Sequence, residues 1–353
     1  MHCWLFARGP LQTRSVGVRA AGNIGRESKE RKGGLVSNLL RLIGRRLIAL
    51  PIMLFGVTIL VFLIMALSPI DQAYQVLGEN ATAEQADQYR EEHGLNDPVL
   101  VQYGNYMVGL FQGDMGTYGA SNMSVSDRIG SALPVTLQLT FMGLIIAVIF
   151  STILGVISAL YRDRWPDQVI RVFSIACIAT PSFWLAVLMI LLFSSMLHWL
   201  PASGTLPDFT TDPGGWIARM AMPAVALAIP VTGQMTRVIR TSMVEELDKD
   251  YVRTAIGAGI PKSIVVARNV LRNALITPVT VLGLRIGYLI GGAVVIEVIF
   301  NLPGMGAAIM SGIQSNYVML VQGVVLVVAF TFIIINIIVD MLYILIDPRI
   351  RTV

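Results

Sequence analysis

The sequence predicts an all-α polytopic membrane protein with six transmembrane helices and both termini in the cytoplasm. Three observations carry this. Apolar residues make up 55% of the 353 residues and charged residues 14%, where a soluble chain carries about a quarter charged residues. Six segments approach or exceed the roughly 20 apolar residues that a bilayer span requires. Lysine and arginine collect on alternate connecting segments, the pattern that sets orientation.

Residues 1–37 are basic, Gly-rich and without apolar periodicity, so a disordered tail is expected there. A start codon placed too far upstream explains them equally; a basic tail lying on anionic lipid is the functional alternative. The domain proper is expected over 38–353. Its first span, 47–70, follows Arg41, Arg45 and Arg46 and is too long for a signal-peptide core. The second lies within the charge-free stretch 129–160, from about Pro134. The third is expected over 169–197 as one span and the fourth over 220–239, interrupted by Pro223 and Pro230. The fifth covers 274–297 and the sixth 318–346. Pro181, Pro223 and Pro230 are expected to bend their spans.

Ten Lys or Arg lie in residues 1–46, three in 161–171 and seven in 237–272. Residues 71–128 hold two against nine Asp or Glu, and 299–317 hold none. The external segment is therefore 71–130, and the charged loop 242–273 faces the cytoplasm. The external segment reads as polar, helical near 83–93, with turns at Gly94-Leu95-Asn96-Asp97-Pro98 and Gly113-Asp114-Met115-Gly116.

The loop 242–273 is long and helically patterned for a connection between spans. Tyr251, Thr254 and Ala255 share one stripe, and Val265, Val266, Asn269 and Val270 another. Gly257 and Gly259 break the helix between them, and Pro261 suits the first turn of the next. Asp250 and Arg253 would face the cytosol, with apolar side chains offered to a groove. A helix pair without a partner is the plainer reading.

Arg285, Glu297 and Asp340 are charges in or at the edge of spans, which must face protein or water. Arg285 and Asp340 differ in depth by about 6 Å at a 1.5 Å rise per residue, so they can pair if their helices are neighbours. Arg285 can equally line a pathway, near a carboxylate, or meet another subunit. Gly283, Gly287 and Gly291, with Gly292 beside them, form a small-residue face suited to close helix approach. It can pack within the chain or against a second subunit.

Other classes fit less well. His2, His93 and His198 share no metal-ligand spacing, and Cys3 and Cys177 are too far apart in sequence to suggest a disulfide framework. No basic face with interleaved aromatics points to nucleic acid. A secondary transporter would carry inverted repeats and paired broken helices, and none is evident. An intramembrane hydrolase would need more than Ser194 and Ser195 near His198. With no phosphate-binding Gly-x-x-x-x-Gly-Lys-Ser/Thr loop, ATP chemistry would belong to other chains.

Asp250-Tyr251-Val252-Arg253-Thr254-Ala255, Gly259, Leu271-Arg272-Asn273-Ala274-Leu275 and Pro278 resemble the EAA loop of binding-protein-dependent ABC importer permeases. The likeness is to the first permease subunit of the dipeptide and oligopeptide branch. It extends to Arg45-Arg46-Leu47, Gly113-Asp114, Pro181-Ser182-Phe183-Trp184, Leu200-Pro201-Ala202-Ser203-Gly204, Pro303-Gly304 and Asp347-Pro348-Arg349. Arg253 and Thr254 depart from the general motif, Ile256-Gly257 implies a shorter first helix, and Arg285 replaces a more usual uncharged residue. The resemblance implies a type I ABC importer permease fold in a bacterial inner membrane, multi-pass and non-catalytic, with no cofactor and no bound metal. It implies that Asp250, Tyr251, Arg253, Thr254, Ala255, Gly257, Gly259 and Ile260 couple to ATPase subunits, Gly259 by close backbone approach. The implied partners are a second homologous permease subunit, two ATP-binding subunits, an extracytoplasmic peptide-binding protein and membrane lipid. Cargoes in this family include dipeptides, oligopeptides, nickel chelates and glutathione.

Overall fold

The computed structural model describes residue 44 and residues 48–346, apart from 65, 68–70, 79, 80 and 120. The expected tail 1–37 and residues 347–353 lie outside the described residues, as do the side chains of 72, 75, 340 and 342–346.

The chain opens with α1 (Ile48–Ile64), α2 (Gln72–Leu77), α3 (Ala83–Glu92) and α4 (Val99–Gln112). A two-residue antiparallel ladder follows, β1 (Thr117–Tyr118) on β2 (Met123–Ser124). Thr82 and Gln85 start α3 with a reciprocal capping box. An Asp71–Arg90 ion pair ties α2 to α3 and holds the Asp71 carboxyl below its ordinary value. α4 corrects the expectation of a polar external segment. Its apolar side chains rest on α1 through Tyr103, whose hydroxyl meets that of Thr58 at 2.8 Å and whose ring meets Phe62 at 5.2 Å. Leu100 and Phe111 remain exposed.

The bundle is built from α5 (Val125–Leu160), α6 (Trp165–Ala179), α7 (Ser182–Met189, continuing as a π-helix over Ile190–Met196) and α8 (Pro213–Leu247). Next come α9 (Asp250–Gly257), α10 (Lys262–Ile264), a π-helical turn (Val265–Val270) and α11 (Leu271–Ala274). The chain ends with α12 (Ile276–Phe300), α13 (Met305–Gln314) and α14 (Val318–Ile346). Among the described residues α5, α8, α12 and α14 are long and apolar enough to cross a membrane, α6 with α7 makes a fifth candidate, and α1 is a shorter apolar helix.

The prolines part company: Pro181 bends its span as expected, whereas Pro223 and Pro230 do not interrupt theirs. The third span is no single helix: α6 and α7 meet at 100°. Pro181 excludes helical backbone from the residue before it, and Thr180 is accordingly extended at φ −91°, ψ 123°. The fourth span, by contrast, runs unbroken through Pro223 and Pro230 for 35 residues. Packing explains the difference. α8 is the central helix, and Met220, Met222, Ala224, Leu227, Ala228 and Val231 around both prolines are buried.

α5 lies along α8 through Gly143, Ala147, Ser151, Gly155 and Ala159, all buried and spaced by four. A Cβ on Gly155 would stand 2.7 Å from Ile239 and on Gly143 3.2 Å from Leu227. This is the small-residue stripe that lets two helices close up. α6 approaches α8 in the same way, since a Cβ on Gly233 would be 2.7 Å from Ser174 O. α12 runs opposite to α5 and α8, and α14 packs on α12 with Phe332 over Gly287 and Val339 over Gly283.

Candidate functional site

One end of the bundle carries the α9–α11 segment, and the site is built on the last turn of α8. Glu246 is buried there, although it belongs to a charged run. Its Oε1 accepts from the Tyr251 hydroxyl at 2.8 Å and from Asn273 Nδ2 at 3.2 Å, and its Oε2 accepts from Lys249 Nζ. One carboxylate thus gathers the ends of α8, α9 and α11. Burial, and then the Glu246 carboxylate, push the Tyr251 hydroxyl above its ordinary value, keeping it a neutral donor. Beneath this knot lies an apolar cluster in which Val252 of α9 and Val265, Val266 and Val270 pack on Ala159, Ile239 and Met243. Glu246→Gln keeps an acceptor but removes charge assistance, so it is expected to cost about 1–2 kcal/mol. Thermal unfolding of the purified chain in detergent checks this.

The two expected stripes are each corrected at one position. On α9 the inward residues are Tyr251, Val252 and Ala255, while Thr254 is exposed and its hydroxyl donates to Asp250 O at 3.0 Å. In the second helix Asn269 points outward. The cause is the π-helical turn: with five residues closing each hydrogen-bonded ring, Val270 rather than Asn269 falls above Val265.

α9 ends in a Schellman cap. Ile260 N donates to Ala255 O at 3.2 Å and Gly259 N to Ile256 O at 3.0 Å, with Gly259 at φ +85°, the left-handed position that favours glycine. Gly257 is the last helical residue, so Ile256-Gly257 belongs to the helix. Pro261 precedes α10 as its cap instead of sitting in its first turn. Among the described residues no other segment comes within 4 Å of a Cβ on Gly257 or Gly259. Around them Arg253, Thr254, Ile256 and Ile260 are exposed, and Arg253 is 3.9 Å from Asp250. A cavity of about 250 Å³ opens beside α9, lined by Leu160, Arg162, Asp248, Arg253, Ile256 and Lys262 among others.

A second buried network locks the same end. Asp167, fully buried in the first turn of α6, accepts from Arg240 Nε at 2.6 Å and Nη2 at 2.7 Å. It also accepts from Ser158 Oγ at 2.5 Å and Asp163 N at 2.9 Å. Three helices thus close on one carboxylate. At the opposite end Arg219, 2% exposed, donates to Ala202 O and Phe300 O at 2.6 Å each. It caps the C-terminus of α12 and pins the loop before α8. Asp167, Arg219, Arg240 and Glu246 were not picked out from the sequence. Charges at helix ends count there towards orientation, and nothing periodic marks which of them turn inward.

The remaining expected residues separate. Glu297 is fully buried, and its Oε2 accepts from Gly306 N at 2.7 Å. It caps α13 instead of facing a pathway, while Thr136 Oγ1 takes the Met305 N–H at 2.9 Å. Arg285 Nε is buried without a hydrogen-bond partner among the described residues. The Asp340 side chain lies outside them, so the Arg285–Asp340 pair is not placed. The glycine face divides: Gly283 and Gly287 pack against α14, Gly292 against Leu227 of α8, and Gly291 meets nothing within 4 Å. Gly291 lies on an exposed stripe with Leu284, Tyr288 and Val295, spaced as one face of α12. No cluster of three or more potential metal ligands occurs among the described residues.

Residues 151–352 match the family of binding-protein-dependent transport system inner membrane components, and residues 39–140 match the N-terminal region of the same membrane components. A relative named as a peptide transport system permease protein, from Brucella abortus (strain 2308), is 40% identical over 303 residues, covering 86% of this chain and 96% of its own length. A relative named as a D,D-dipeptide transport system permease protein, from Escherichia coli (strain K12), is 36% identical over 315 residues, covering 84% and 93%. The glutathione transport system permease protein of the same strain is 36% identical over 313 residues, covering 89% and 99%. A crystal structure of an amino acid ABC transporter aligns over 64% of this chain and 95% of the other at TM-score 0.47 and 15% identity.

Proposed function

Because the chain belongs to the family of binding-protein-dependent transport system inner membrane components, we propose that it forms, with a second homologous permease, the membrane pathway of an ATP-driven importer for di- or oligopeptides. The printed names of the relatives, for peptide, D,D-dipeptide and glutathione transport, support a peptide-like cargo. In this reading the subunit is non-catalytic and two partner subunits hydrolyse ATP. This reading places the chain in a bacterial inner membrane, and the Lys and Arg counts support both termini in the cytoplasm. The domain is taken as 38–353, with 1–37 as a separate tail.

The observation that carries the coupling role is the presentation of α9. Its inner face is clamped by Glu246 and the valine cluster, while Asp250, Arg253, Thr254, Gly257, Gly259 and Ile260 are left for another protein. A rigid base with an unengaged outer face transmits force: when the ATPase subunits close, each drags the helix docked in it, and the spans tilt with the helix. Tyr251 and Ala255 belong to the base and act by holding α9 in place. On α12 the stripe of Leu284, Tyr288, Gly291 and Val295 is assigned to the second permease, replacing Gly283, Gly287 and Gly292. Arg285, beside that stripe, is assigned to the pathway, where its cation can meet a peptide carboxylate.

Gly259→Asp tests the coupling. The added Cβ would meet nothing within 4 Å among the described residues, and aspartate is among the residues that tolerate left-handed backbone. Uptake of a labelled dipeptide by cells expressing the whole importer is expected to fall at least about tenfold, with membrane insertion unchanged. Undiminished uptake would falsify the docking assignment.

A further inference from the structure

We propose that the pocket between α3, the β1–β2 hairpin and the start of α14 is a receptor for an organic cation, filled by a lysine or arginine side chain of the extracytoplasmic protein that delivers the cargo. The choice of partner rests on the importer reading; the chemistry of the pocket does not.

The cavity holds about 250 Å³ and is lined by Tyr89, His93, Asp114, Tyr118, Tyr317 and Met319 among others. Four of these are aromatic rings. Tyr118 and Tyr317 meet at 5.3 Å between centroids, and Tyr89 stacks on His93 at 3.9 Å. Asp114 supplies the carboxylate. Its Oδ1 accepts from Gly116 N at 2.8 Å, which fixes the group, and its Oδ2 has no hydrogen bond or ion pair among the described residues. Ring faces carry negative charge density and an unengaged carboxylate oxygen seeks a donor, so the set favours an ammonium or guanidinium and repels an anion. The one basic residue of α3, Arg90, does not fill the site, because Asp71 and Asp87 hold it over Tyr74.

Size and field identify the source of the cation. The volume falls below the roughly 300–1,000 Å³ of pockets that enclose a whole small molecule, and suits one long side chain better than a peptide. Residues 71–128 carry nine Asp or Glu against two Lys or Arg, which draws a basic surface towards this face. The walls are fixed before any partner arrives: Tyr317 N donates to Gly312 O at 2.7 Å, and Gly119, at φ +72°, lets the hairpin close on the Tyr317 hydroxyl.

The purified chain in lipid nanodiscs, titrated calorimetrically with n-butylammonium and with n-butanol, tests the pocket. The amine is expected to bind saturably and at least about tenfold more tightly than the alcohol, and Asp114→Asn to weaken it about tenfold. Asparagine keeps the acceptor for Gly116 N, so the turn survives. In the assembled importer the same variant is expected to weaken docking of the binding protein about tenfold, and n-butylammonium to compete with docking to the wild type. Equal binding of amine and alcohol, or indifference of the amine to Asp114→Asn, overturns the cation site. Amine binding with unaltered docking overturns the side chain as its occupant. If no binding protein docks on the wild-type assembly, the importer reading and the occupant both fall, and the amine titration alone decides the pocket.

Discussion

Arg240→Leu is expected to destabilise the chain by about 3–5 kcal/mol, because it strips the guanidinium from a carboxylate that has no access to water. Asp167 is fully buried and Arg240 19% exposed, and their two short contacts are the only bidentate pair among the described residues. The loss is larger than the worth of the pair itself. Burying both charges already costs most of what their attraction returns, whereas a lone carboxylate keeps the cost and loses the return. Ser158 and the Asp163 N–H remain as donors, but Arg171, at 3.7 Å and half-exposed, is too far to replace the lost fork. The double variant Asp167→Asn with Arg240→Leu, which removes both charges, is expected to recover more than half of the loss. Thermal unfolding of the four proteins in one detergent gives the cycle. A single variant as stable as the wild type would show that water reaches Asp167.

Gly306→Ala is expected to cost about 2–3 kcal/mol, although alanine is the better helix former by up to about 1 kcal/mol. The added Cβ would stand 2.1 Å from Val294 O and 2.8 Å from Val294 C, which are backbone atoms of α12. No rotamer relieves such a contact, so α13 must move off α12. That movement also stretches the 2.7 Å bond from Gly306 N to Glu297, leaving more of a buried carboxylate unsatisfied. The same substitution at Gly130 in α5 has nothing within 4 Å of its Cβ and is expected to stabilise by a few tenths of a kcal/mol. Equal melting shifts at the two positions would contradict the close packing of α13.

Span positions were legible because each depends on a local sum over about twenty side chains. The sixth span, 318–346, coincides with α14 (Val318–Ile346), and the fifth differs from α12 by a few residues. The α9–α11 segment was legible as helix, glycine break and helix, since the Schellman cap needs only Gly259 after a short helix. Prolines were not: Pro181 and Pro223 look alike along the chain, yet one breaks a helix and the other is carried through it by packing on every side. Glycines divided for the same reason. The stripe read on α12 packs partly against α14, while the longer small-residue stripe, Gly143 to Ala159 on α5, is masked by the uniform apolarity around it. Asn269 turned outward because a π-helical turn sets Val270 in its place above Val265.

By itself the sequence determined the class of the protein, the order and approximate limits of its apolar helices, and the short charged helix α9. These follow from composition, hydropathy and caps, all of which act over a few turns of one chain segment. Only the tertiary structure decided which charges are structural. Glu246, Asp167 and Glu297 became the knots that fix α9, α6 and α13, and Arg219 became a cap for α12. That outcome depends on which helix ends meet across the bundle, at distances near 3 Å between residues as many as 82 positions apart. No property of a single segment encodes such a meeting, because a buried charge is tolerable only where other segments bring its partners.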